Sequence, residues 1–420
     1  MRIDTGRLAA RFALLAGAAA TLLSATTGTA VANPAGPTGA IVAAGAAGAI
    51  GNSYIVVLPP GSPAAGVASA SARLTRRYGG QVVDNYQATV RGFHARMTAA
   101  QAGRLAADPA VEYVEQDATV RLASTTTQQD PPWGLDRIDQ RSLPLSGSYT
   151  AGSAAGVTAY VLDSGIRIGH REFGGRASSG WDFVDRDPVA DDCDGHGTHV
   201  AGTIGGSTYG VAKDVKLVAV RVLDCEGSGS YSAIIAGVDW VTAHATLPAV
   251  ANMSIGGPTS QALDDAVSRS IAKGVTYAVA AGNDDRDACS QSPADTPAAI
   301  TVGAVDRNDR RARFSNFGSC LDLFAPGVRI KSASNSSNAA TQIMSGTSMA
   351  SPHVAGAAAL VLGAHPDWTP ARVRDELVAR ATTGLVDSAG WGSPDKLLYT
   401  GFSPHDVSQH HGLRNRTRIA

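Results

Sequence analysis

The stretch "VTAYVLDSG", residues 157–165, is an apolar run that ends at Asp163. Such a run predicts a β-strand buried on both faces, as the strands of a parallel sheet are. Four more apolar runs follow, with segments between them that are predicted as helices. The strands are predicted at 157–165, 216–224, 250–257, 276–283 and 299–305, and two of the helices at 230–245 and 260–274. This alternation predicts an α/β fold, a doubly wound parallel sheet with helices on both faces.

A shorter pattern of strands and helices lies between residues 53 and 116. Its predicted order is strand, helix, two strands, helix and strand, which predicts a small α+β ferredoxin-like domain. The elements are predicted at 53–59, 62–79, 81–86, 89–97, 98–109 and 111–116. The polar stretch "RLASTTTQQDPP", residues 121–132, has the composition of a linker, and we expect proteolytic cleavage there.

The N-terminus has the features of a secretory signal peptide. Three arginines precede the apolar run 12–23, and the small residues 30–32 follow it, which places cleavage before Asn33. The alternative is a membrane anchor, which needs about 20 apolar residues, and this run is interrupted soon after Leu23. No later run is long enough to span a bilayer, so we expect a soluble, secreted product that does not associate with membranes.

Charge and composition set further limits. The chain has 35 basic and 36 acidic residues, and this balance gives no indication of a nucleic-acid partner. Residues 33–52 consist mainly of Ala, Gly and Pro and are predicted to be a flexible leader. Residues 401–420 form a short, basic tail that we expect to be disordered or trimmed.

The four cysteines all lie in the part of the chain predicted to be exported. They are Cys193, Cys225, Cys289 and Cys320. An even number in an oxidising compartment predicts two disulfides, although these residues alone leave three pairings open. Metal binding is the alternative, and it is weakened because the chain has no C-x-x-C pair.

Parallel sheets bind substrates at the carboxyl ends of their strands, where this chain has Asp163 and Asn283. The segment "DGHGTHVAG", residues 194–202, places His196 between two glycines at the start of a predicted helix, so that its ring can face a cleft. Zinc binding is the alternative. It is weakened because His196 and His199 lack the i, i+4 spacing and the glutamate of a helical zinc site.

The segment "SGTSMASPHV", residues 345–354, contains the candidate nucleophile Ser348. This serine lies at the start of a predicted helix, where free N–H groups stabilise a developing oxyanion, although a helix-start serine is more often an N-cap. His353 projects from a different side of that helix, so we expect it to pack behind the helix. With Asp163 and His196, Ser348 completes a carboxylate, base and nucleophile in the chain order found in subtilisin.

Three segments resemble the signature sequences of the subtilisin-like serine proteases, namely "VLDSGI", "GHGTHVAGT" and "SGTSMASPHVAG". The segments "VANMSIGG" and "FSNFGSCLDLFAPG" resemble the proteinase K subfamily, especially its aqualysin-like secreted bacterial members. The resemblance covers about residues 130–400, and residues 53–117 resemble the family's inhibitory propeptide. Together with the patterns above, it divides the chain into a signal peptide at 1–32, a leader at 33–52, an inhibitor propeptide at 53–122, a catalytic domain at 123–400 and a tail at 401–420, which runs past the end of similar enzymes.

The resemblance implies a catalytic triad of Asp163, His196 and Ser348. It further implies an oxyanion hole formed by Asn283 and the Ser348 N–H. Two segments, "EGSGS" and "SIGG", are implied to pair with the substrate backbone. The implied substrate-binding residues are Gly227, Ser228, Gly229, Ser254, Ile255, Gly256 and Gly282. Broad specificity follows, with an apolar or aromatic residue on the acyl side of the scissile bond.

The resemblance also implies the disulfides Cys193–Cys225 and Cys289–Cys320, and one to three structural Ca²⁺ sites. The first site comprises Asp322 and the carbonyls of Pro297 and Ala299, the second Asp136, Asp139, Gln140 and Ser146, and the third Asp182 and Asp187. In the second site, Ser148 stands where relatives commonly have Asn.

The predicted function is that of a secreted serine endopeptidase, expected to be a monomer and made as a zymogen that cleaves itself near residues 119–128. Its partners are polypeptide substrates and its own propeptide. An esterase is an alternative, weakened because the chain lacks the G-x-S-x-G motif. A binding protein on an inactive protease scaffold is another, weakened because the triad residues and Asn283 are all present.

Overall fold

The computed structural model describes residues 38–46, 49–88, 90–118 and 126–401. These residues form two compact units, one on each side of residues 119 and 120. The predicted signal peptide, residues 121–125 of the predicted linker and nearly all of the predicted tail lie outside the described residues. Within the described part, no helix is both long and apolar enough to cross a membrane.

The N-terminal unit is a five-stranded sheet with two helices. Its strands are β1 (Ile41–Val42), β2 (Ala49–Val57), β3 (Gln81–Tyr86), β4 (Gly92–Arg96) and β5 (Tyr113–Ala118), and its helices are α1 (Val67–Tyr78) and α2 (Ala99–Ala106). The strand order is β1-β5-β2-β4-β3. The pairs β5–β2, β2–β4 and β4–β3 are antiparallel. Apolar side chains of strands and helices, such as Val56, Phe93 and Leu105, are fully buried in one core. The ferredoxin-like prediction is therefore confirmed.

The leader prediction is wrong for part of its range. Residues 33–52 were expected to be flexible, but Ile41 and Val42 form β1, which pairs parallel with β5, and β2 already begins at Ala49. Backbone hydrogen bonds hold these short segments, and such bonds need no particular side chain. An Ala- and Gly-rich edge of a sheet is therefore hard to tell from a linker by composition.

The C-terminal unit contains the predicted parallel sheet. Its strands are β6 (Thr126–Gln129), β7 (Ser148–Ala151), β8 (Thr158–Asp163), β9 (Ala177–Asp182), β10 (Lys216–Arg221), β11 (Ala249–Met253), β12 (Gly257–Pro258), β13 (Val275–Ala280), β14 (Gln291–Ser292), β15 (Ile300–Val305), β16 (Leu323–Pro326), β17 (Ile330–Ala333), β18 (Thr341–Met344), β19 (Thr382–Thr383) and β20 (Lys396–Leu397). Its helices are α3 (Trp133–Ile138), α4 (His196–Gly205), α5 (Tyr231–His244), α6 (Gln261–Ala272), α7 (Thr347–Ala364) and α8 (Pro370–Arg380).

Nine strands form the main sheet in the order β19-β20-β16-β15-β13-β11-β8-β10-β9, and all neighbours except β19 and β20 are parallel. From β8 the chain first builds outward through β9 and β10, and then on the other side through β11, β13, β15 and β16. The strand order therefore reverses between β8 and β11. In doubly wound sheets this switch point leaves a crevice at the carboxyl ends of the strands, where ligands bind.

Helices cover both faces of this sheet, as predicted. Alternate residues of β8 enter opposite cores, since Val161 belongs to the core beneath α4 and α7 and Leu162 to the core beneath α5 and α6. The helix α7 is buried on nearly all sides, because only three of its eighteen residues are not buried. A helix that is apolar all round lies inside a protein rather than on its surface. The start of α7 is thereby held in place at the crevice.

Both predicted disulfides are present. Cys193 pairs with Cys225, with 5.0 Å between their Cα atoms, and Cys289 pairs with Cys320, with 5.4 Å between theirs. The first disulfide links the loop before α4 to the loop after β10, so it fixes two loops at the carboxyl end of the sheet.

Candidate active site

The last residue of β8 and the first residue of α4 form a buried carboxylate–imidazole pair. His196 Nδ1 lies 2.7 Å from Asp163 Oδ1, which also accepts the N–H of Ser164 at 2.8 Å. Asp163 is fully buried, and its other oxygen has no hydrogen-bond partner within the described residues. A buried carboxylate needs such a partner, so Asp163 holds the proton of His196 on Nδ1 and leaves Nε2 as an acceptor.

Neighbouring carboxylates make His196 a stronger base. Burial of the ring lowers its pKa, but the negative charge and hydrogen bond of Asp163, and the charges of Asp194 and Asp192, outweigh this and raise the pKa above its usual value. The imidazole side chain keeps 23% of its surface exposed, so it remains accessible to a substrate.

The loop before α4 is held by a carboxylate that sequence reasoning missed. Asp192 accepts hydrogen bonds from the Ser164 hydroxyl at 2.9 Å, from Gly195 N–H at 2.8 Å and from Thr198 N–H at 2.8 Å. Ser164 Oγ in turn accepts the N–H of Gly197 at 3.0 Å. A Cβ on Gly197 would lie 2.1 Å from a backbone oxygen, so only glycine fits there. These contacts fix the position of the His196 backbone.

Ser348 is the second residue of α7 and faces the same cleft as His196. Its hydroxyl donates to the carbonyl of Ser254 at 3.2 Å, and the Ser254 hydroxyl donates to the carbonyl of Ser348 at 2.8 Å. Among the hydrogen bonds of the described residues there is none between Ser348 and His196. A serine hydroxyl reorients by rotation about one bond, and catalytic hydrogen bonds often tighten only with substrate present.

Asn283 is held beside the start of α7 by Thr347. Asn283 Oδ1 accepts the N–H of Thr347 at 2.8 Å and the Thr347 hydroxyl at 2.9 Å, which turns Asn283 Nδ2 away from Thr347. The position that a Cβ on Gly346 would take is 3.6 Å from Asn283 Nδ2 and 3.5 Å from Ser348 N. Both nitrogen atoms therefore lie near one point beside Gly346, as the predicted oxyanion hole requires.

His196 and Ser348 both line a cleft of about 650 Å³ at the switch point of the sheet. Of the seven predicted substrate-binding residues, six line it, namely Gly227, Ser228, Gly229, Ser254, Ile255 and Gly256. Apolar side chains that the sequence did not single out complete the lining, namely Leu223, Ile234 and Leu263. Asp194 is the one carboxylate among the lining residues.

Gly282 is not among the residues that line this cleft. A Cβ at this position would lie 2.0 Å from Gln291 Oε1 and 2.3 Å from Asn316 Nδ2, so the space beside it is filled. Its φ of +101° and the hydrogen bond from its N–H to Thr347 Oγ1 explain the glycine instead. That Gly282 leaves room for a substrate side chain stays a prediction.

The other histidines near these segments are structural. His353 is buried and donates from Nδ1 to the carbonyl of Met349 at 2.8 Å, and burial lowers its pKa to about 4. His199 is buried one turn into α4, and burial lowers its pKa to about 4 as well. Both rings are therefore neutral at physiological pH, and neither lines the cleft.

The first predicted calcium site does not fit a metal ion. Arg374 Nε lies 2.8 Å from Asp322 Oδ1, and Arg374 Nη1 donates to the carbonyl of Pro297 at 2.6 Å. A guanidinium group thus contacts two of the three groups that were predicted as ligands, and the third, Ala299, is buried. The prediction of calcium at Asp322 is therefore wrong for this structure.

The second predicted site fits a cation. Asp139 Oδ1 is buried without a hydrogen-bond partner within the described residues, and burial together with the charge of Asp136 raises the Asp139 pKa to about 6. Asp136 and Gln140 both accept the N–H of Ser146, which brings the predicted ligands together. A hard cation such as Ca²⁺ would satisfy the orphaned oxygen and offset the paired negative charge.

The third predicted site is already neutralised. Asp182 Oδ2 accepts a hydrogen bond from Arg221 at 2.6 Å, and Asp182 Oδ1 accepts two backbone N–H groups. Asp187 is exposed and binds the N–H of Val189. The Arg221 guanidinium already neutralises Asp182, so this site has less need of a cation than the second site, and calcium here stays a prediction.

A serine hydroxyl at a helix N-terminus that lines the same cleft as a buried carboxylate–imidazole pair is typical of the serine hydrolase class. Comparison with known proteins agrees with this class. Residues 154–392 match the model of the subtilase family, and residues 53–123 match that of peptidase inhibitor I9.

Two curated relatives are similar over most of the chain. An extracellular serine proteinase of Thermus sp. strain Rt41A is 55% identical over 325 residues, covering 77% of this chain and 79% of the relative. The alkaline serine exoprotease A of Vibrio alginolyticus is 52% identical over 333 residues, covering 78% of this chain and 62% of the relative. A solved structure of a cold adapted subtilisin-like serine proteinase aligns with a TM-score of 0.64 at 54% identity, covering 66% of this chain and 100% of the other. The chain belongs to the subtilase family and is a serine endopeptidase.

Proposed function

We propose that this chain is a secreted endopeptidase of broad specificity that is made as a self-processing zymogen. The observation that carries the proposal is the 2.7 Å bond between Asp163 and His196, beside a cleft that His196 and Ser348 both line. Asn283 Nδ2 and the Ser348 backbone nitrogen lie near one point beside Gly346. The domain that matches peptidase inhibitor I9 precedes this cleft in the chain, as in a zymogen.

Acylation begins when Ser348 Oγ attacks the carbonyl carbon of the scissile peptide bond. His196 Nε2 accepts the hydroxyl proton, and the imidazolium that forms is stabilised by the buried carboxylate of Asp163. Negative charge develops on the substrate oxygen, which accepts hydrogen bonds from Asn283 Nδ2 and the Ser348 N–H. The tetrahedral intermediate collapses when His196 gives its proton to the leaving amine. Water then attacks the acyl-enzyme by the same route and releases Ser348.

Substrate selection follows from the lining of the cleft. Residues 227–229 and 254–256 offer backbone groups along its two sides, and an extended peptide pairs with such groups whatever its side chains are. A Cβ on Gly256 would have no atom within 4 Å, which leaves an open space beside Ile255. Together with the apolar lining, this space favours an apolar or aromatic residue on the acyl side of the bond.

The N-terminal unit is proposed to assist folding and to inhibit the enzyme until it is cleaved near residues 119–128. A full-length Ser348→Ala chain tests this step. We expect it to accumulate as the precursor, whereas the unchanged chain yields a shorter mature form. Appearance of the normal mature N-terminus in the Ser348→Ala protein, without added protease, would show that another protease performs the cleavage.

Secretion and calcium binding complete the proposal. The charged and apolar pattern of residues 1–32 and the extracellular relative support export. Asp136, Asp139, Gln140 and Ser146 would hold one Ca²⁺, whose role is to neutralise the buried carboxylates and tie α3 to the loop before β7.

Two measurements separate this proposal from its alternatives. Hydrolysis of a peptide amide, compared with an ester of the same acyl group, distinguishes an endopeptidase from an esterase. Covalent labelling by a fluorophosphonate distinguishes an active enzyme from a binding protein on an inactive scaffold, because only an activated serine reacts.

A further inference from the structure

The Arg374 guanidinium lies in a pocket of oxygen atoms at the edge of the parallel sheet. Its Nε and Nη2 lie 2.8 and 2.6 Å from Asp322 Oδ1, and its Nη1 lies 2.6 Å from the carbonyl of Pro297. The remaining oxygen of Asp322 accepts the N–H of Thr301 at 2.8 Å. Three nitrogen atoms of one side chain thus engage a carboxylate and a carbonyl that lie 25 positions apart in the sequence (322 − 297).

A metal ion cannot share this position with the guanidinium. Calcium binds oxygen ligands at about 2.3–2.6 Å, and here the nitrogen atoms of Arg374 already lie at 2.6–2.8 Å from the same two oxygen atoms. The two cations would also repel each other at that distance. Either the arginine or the ion occupies the pocket.

The pocket depends on a cation. Asp322 retains only 8% exposure of its side chain, so its negative charge is largely removed from water. A buried carboxylate that loses its partner destabilises the fold strongly. Arg374 comes from α8, so its side chain also ties that helix to the loop before β15 and to the start of β16.

We propose that Arg374 replaces a calcium ion at Asp322, so that a covalently attached cation neutralises this pocket and the chain binds no metal there. An arginine cannot dissociate, and this part of the fold is therefore insensitive to chelators. The inference concerns metal content alone and does not depend on whether the chain is an active protease.

The test counts bound calcium in the full-length chain carrying Ser348→Ala, which prevents self-digestion. This parent is compared with the same chain carrying Asp322→Asn, Arg374→Ala, or both changes. Each protein is dialysed against excess calcium, and the ions per chain are measured by mass spectrometry. The melting temperature Tm is recorded with calcium and with a chelator.

The proposal predicts that Asp322→Asn leaves the number of bound ions unchanged when Arg374 is present. It predicts that Arg374→Ala gains one ion and that its Tm rises by at least about 2 °C on calcium addition relative to the parent's response. The double variant should lose the gained ion. If Arg374→Ala does not fold, Arg374→Gln is the second variant, and the comparison of parent with Asp322→Asn still decides the metal content.

Two results overturn the proposal. Loss of one calcium ion on Asp322→Asn in the presence of Arg374 would show that the metal binds despite the arginine. A folded Arg374→Ala protein that gains no calcium would show that Arg374 and Asp322 form an ordinary ion pair. In that case Arg374 would not stand in the place of a calcium ion. Both readouts are independent of peptide hydrolysis, so a failure here differs from a failure of the proposed activity.

Discussion

Replacement of Thr347 by valine tests how the proposed oxyanion hole is held in place. The Thr347 hydroxyl donates to Asn283 Oδ1 at 2.9 Å and accepts the Gly282 N–H at 3.1 Å, and the side chain is fully buried. Valine has nearly the same shape and removes both hydrogen bonds. The backbone N–H of residue 347 still donates to Asn283 at 2.8 Å, so the asparagine keeps one of its two anchors.

The expected loss is smaller than that caused by loss of the asparagine itself. Removal of one oxyanion donor lowers kcat by about 10²–10³, the size of effect known for this kind of donor in subtilisin. One neutral hydrogen bond contributes about 0.5–1.5 kcal/mol. If the hydrogen bond contributes this free energy to holding Asn283 in place, Thr347→Val lowers kcat by about 2- to 13-fold with little change in KM.

A double-mutant cycle measures the coupling. The kinetic parameters kcat and KM are determined on one chromogenic peptide for the parent enzyme, Thr347→Val, Asn283→Ala and the double variant. Because Thr347 is proposed to act through Asn283, Thr347→Val should cause no further loss of kcat in the Asn283→Ala protein. Thr347→Ser, which keeps the hydroxyl, is the matched control and should retain a rate near that of the parent. An equal loss from Thr347→Val in both backgrounds would refute this reasoning.

Three further predictions concern the same unit. Asp194→Asn removes a charge that raises the pKa of His196, so the acid limb of the kcat/KM profile should move to lower pH, because neutral His196 is the base. Asp139→Asn removes the orphaned carboxylate, so a chelator should lower the Tm of this variant less than that of the parent. Gly282→Ala places a Cβ at φ +101°, 2.0 Å from a side-chain oxygen, and should lower the free energy of unfolding in urea by about 1–3 kcal/mol.

Matched controls exist for these variants. Asp191→Asn removes an exposed charge in the loop of Asp194 and should leave both the pH profile and the chelator response unchanged. Gly256→Ala adds a Cβ that meets no atom within 4 Å and should leave the free energy of unfolding nearly unchanged. A shift of the acid limb to higher pH in Asp194→Asn, an undiminished chelator effect in Asp139→Asn, or an unaltered urea midpoint in Gly282→Ala would each contradict the corresponding contact.

The parallel sheet could be predicted because its signal is repeated along the chain. Each buried strand, such as β8 or β15, is a continuous apolar run, and the helices between them follow the periodicity of α-helices. The ferredoxin-like unit was predictable for the same reason. The edge strand β1 was not, because two residues held by backbone pairing leave no pattern of side chains.

Parts of the candidate site could be predicted where their chemistry depends on residue type alone. The prediction failed where a residue's role depends on partners that are distant in the sequence. Asp163, His196 and Ser348 each stand in a distinctive local segment. Arg374 reaches Asp322 from a helix 52 positions later (374 − 322), and only the folded structure brings them together. Gly282 was assigned to the cleft because it is small, whereas the structure requires glycine there for its backbone angle.

The most direct test of the central claim is to label the purified protein with a fluorophosphonate and map the modified peptide by mass spectrometry. The account predicts a single adduct on Ser348. It also predicts that His196→Ala abolishes this adduct while leaving the fold intact, as judged by circular dichroism. A label on another residue would contradict the account. Full peptide hydrolysis by a folded Ser348→Ala protein, after its N-terminal unit has been removed by another protease, would also contradict it.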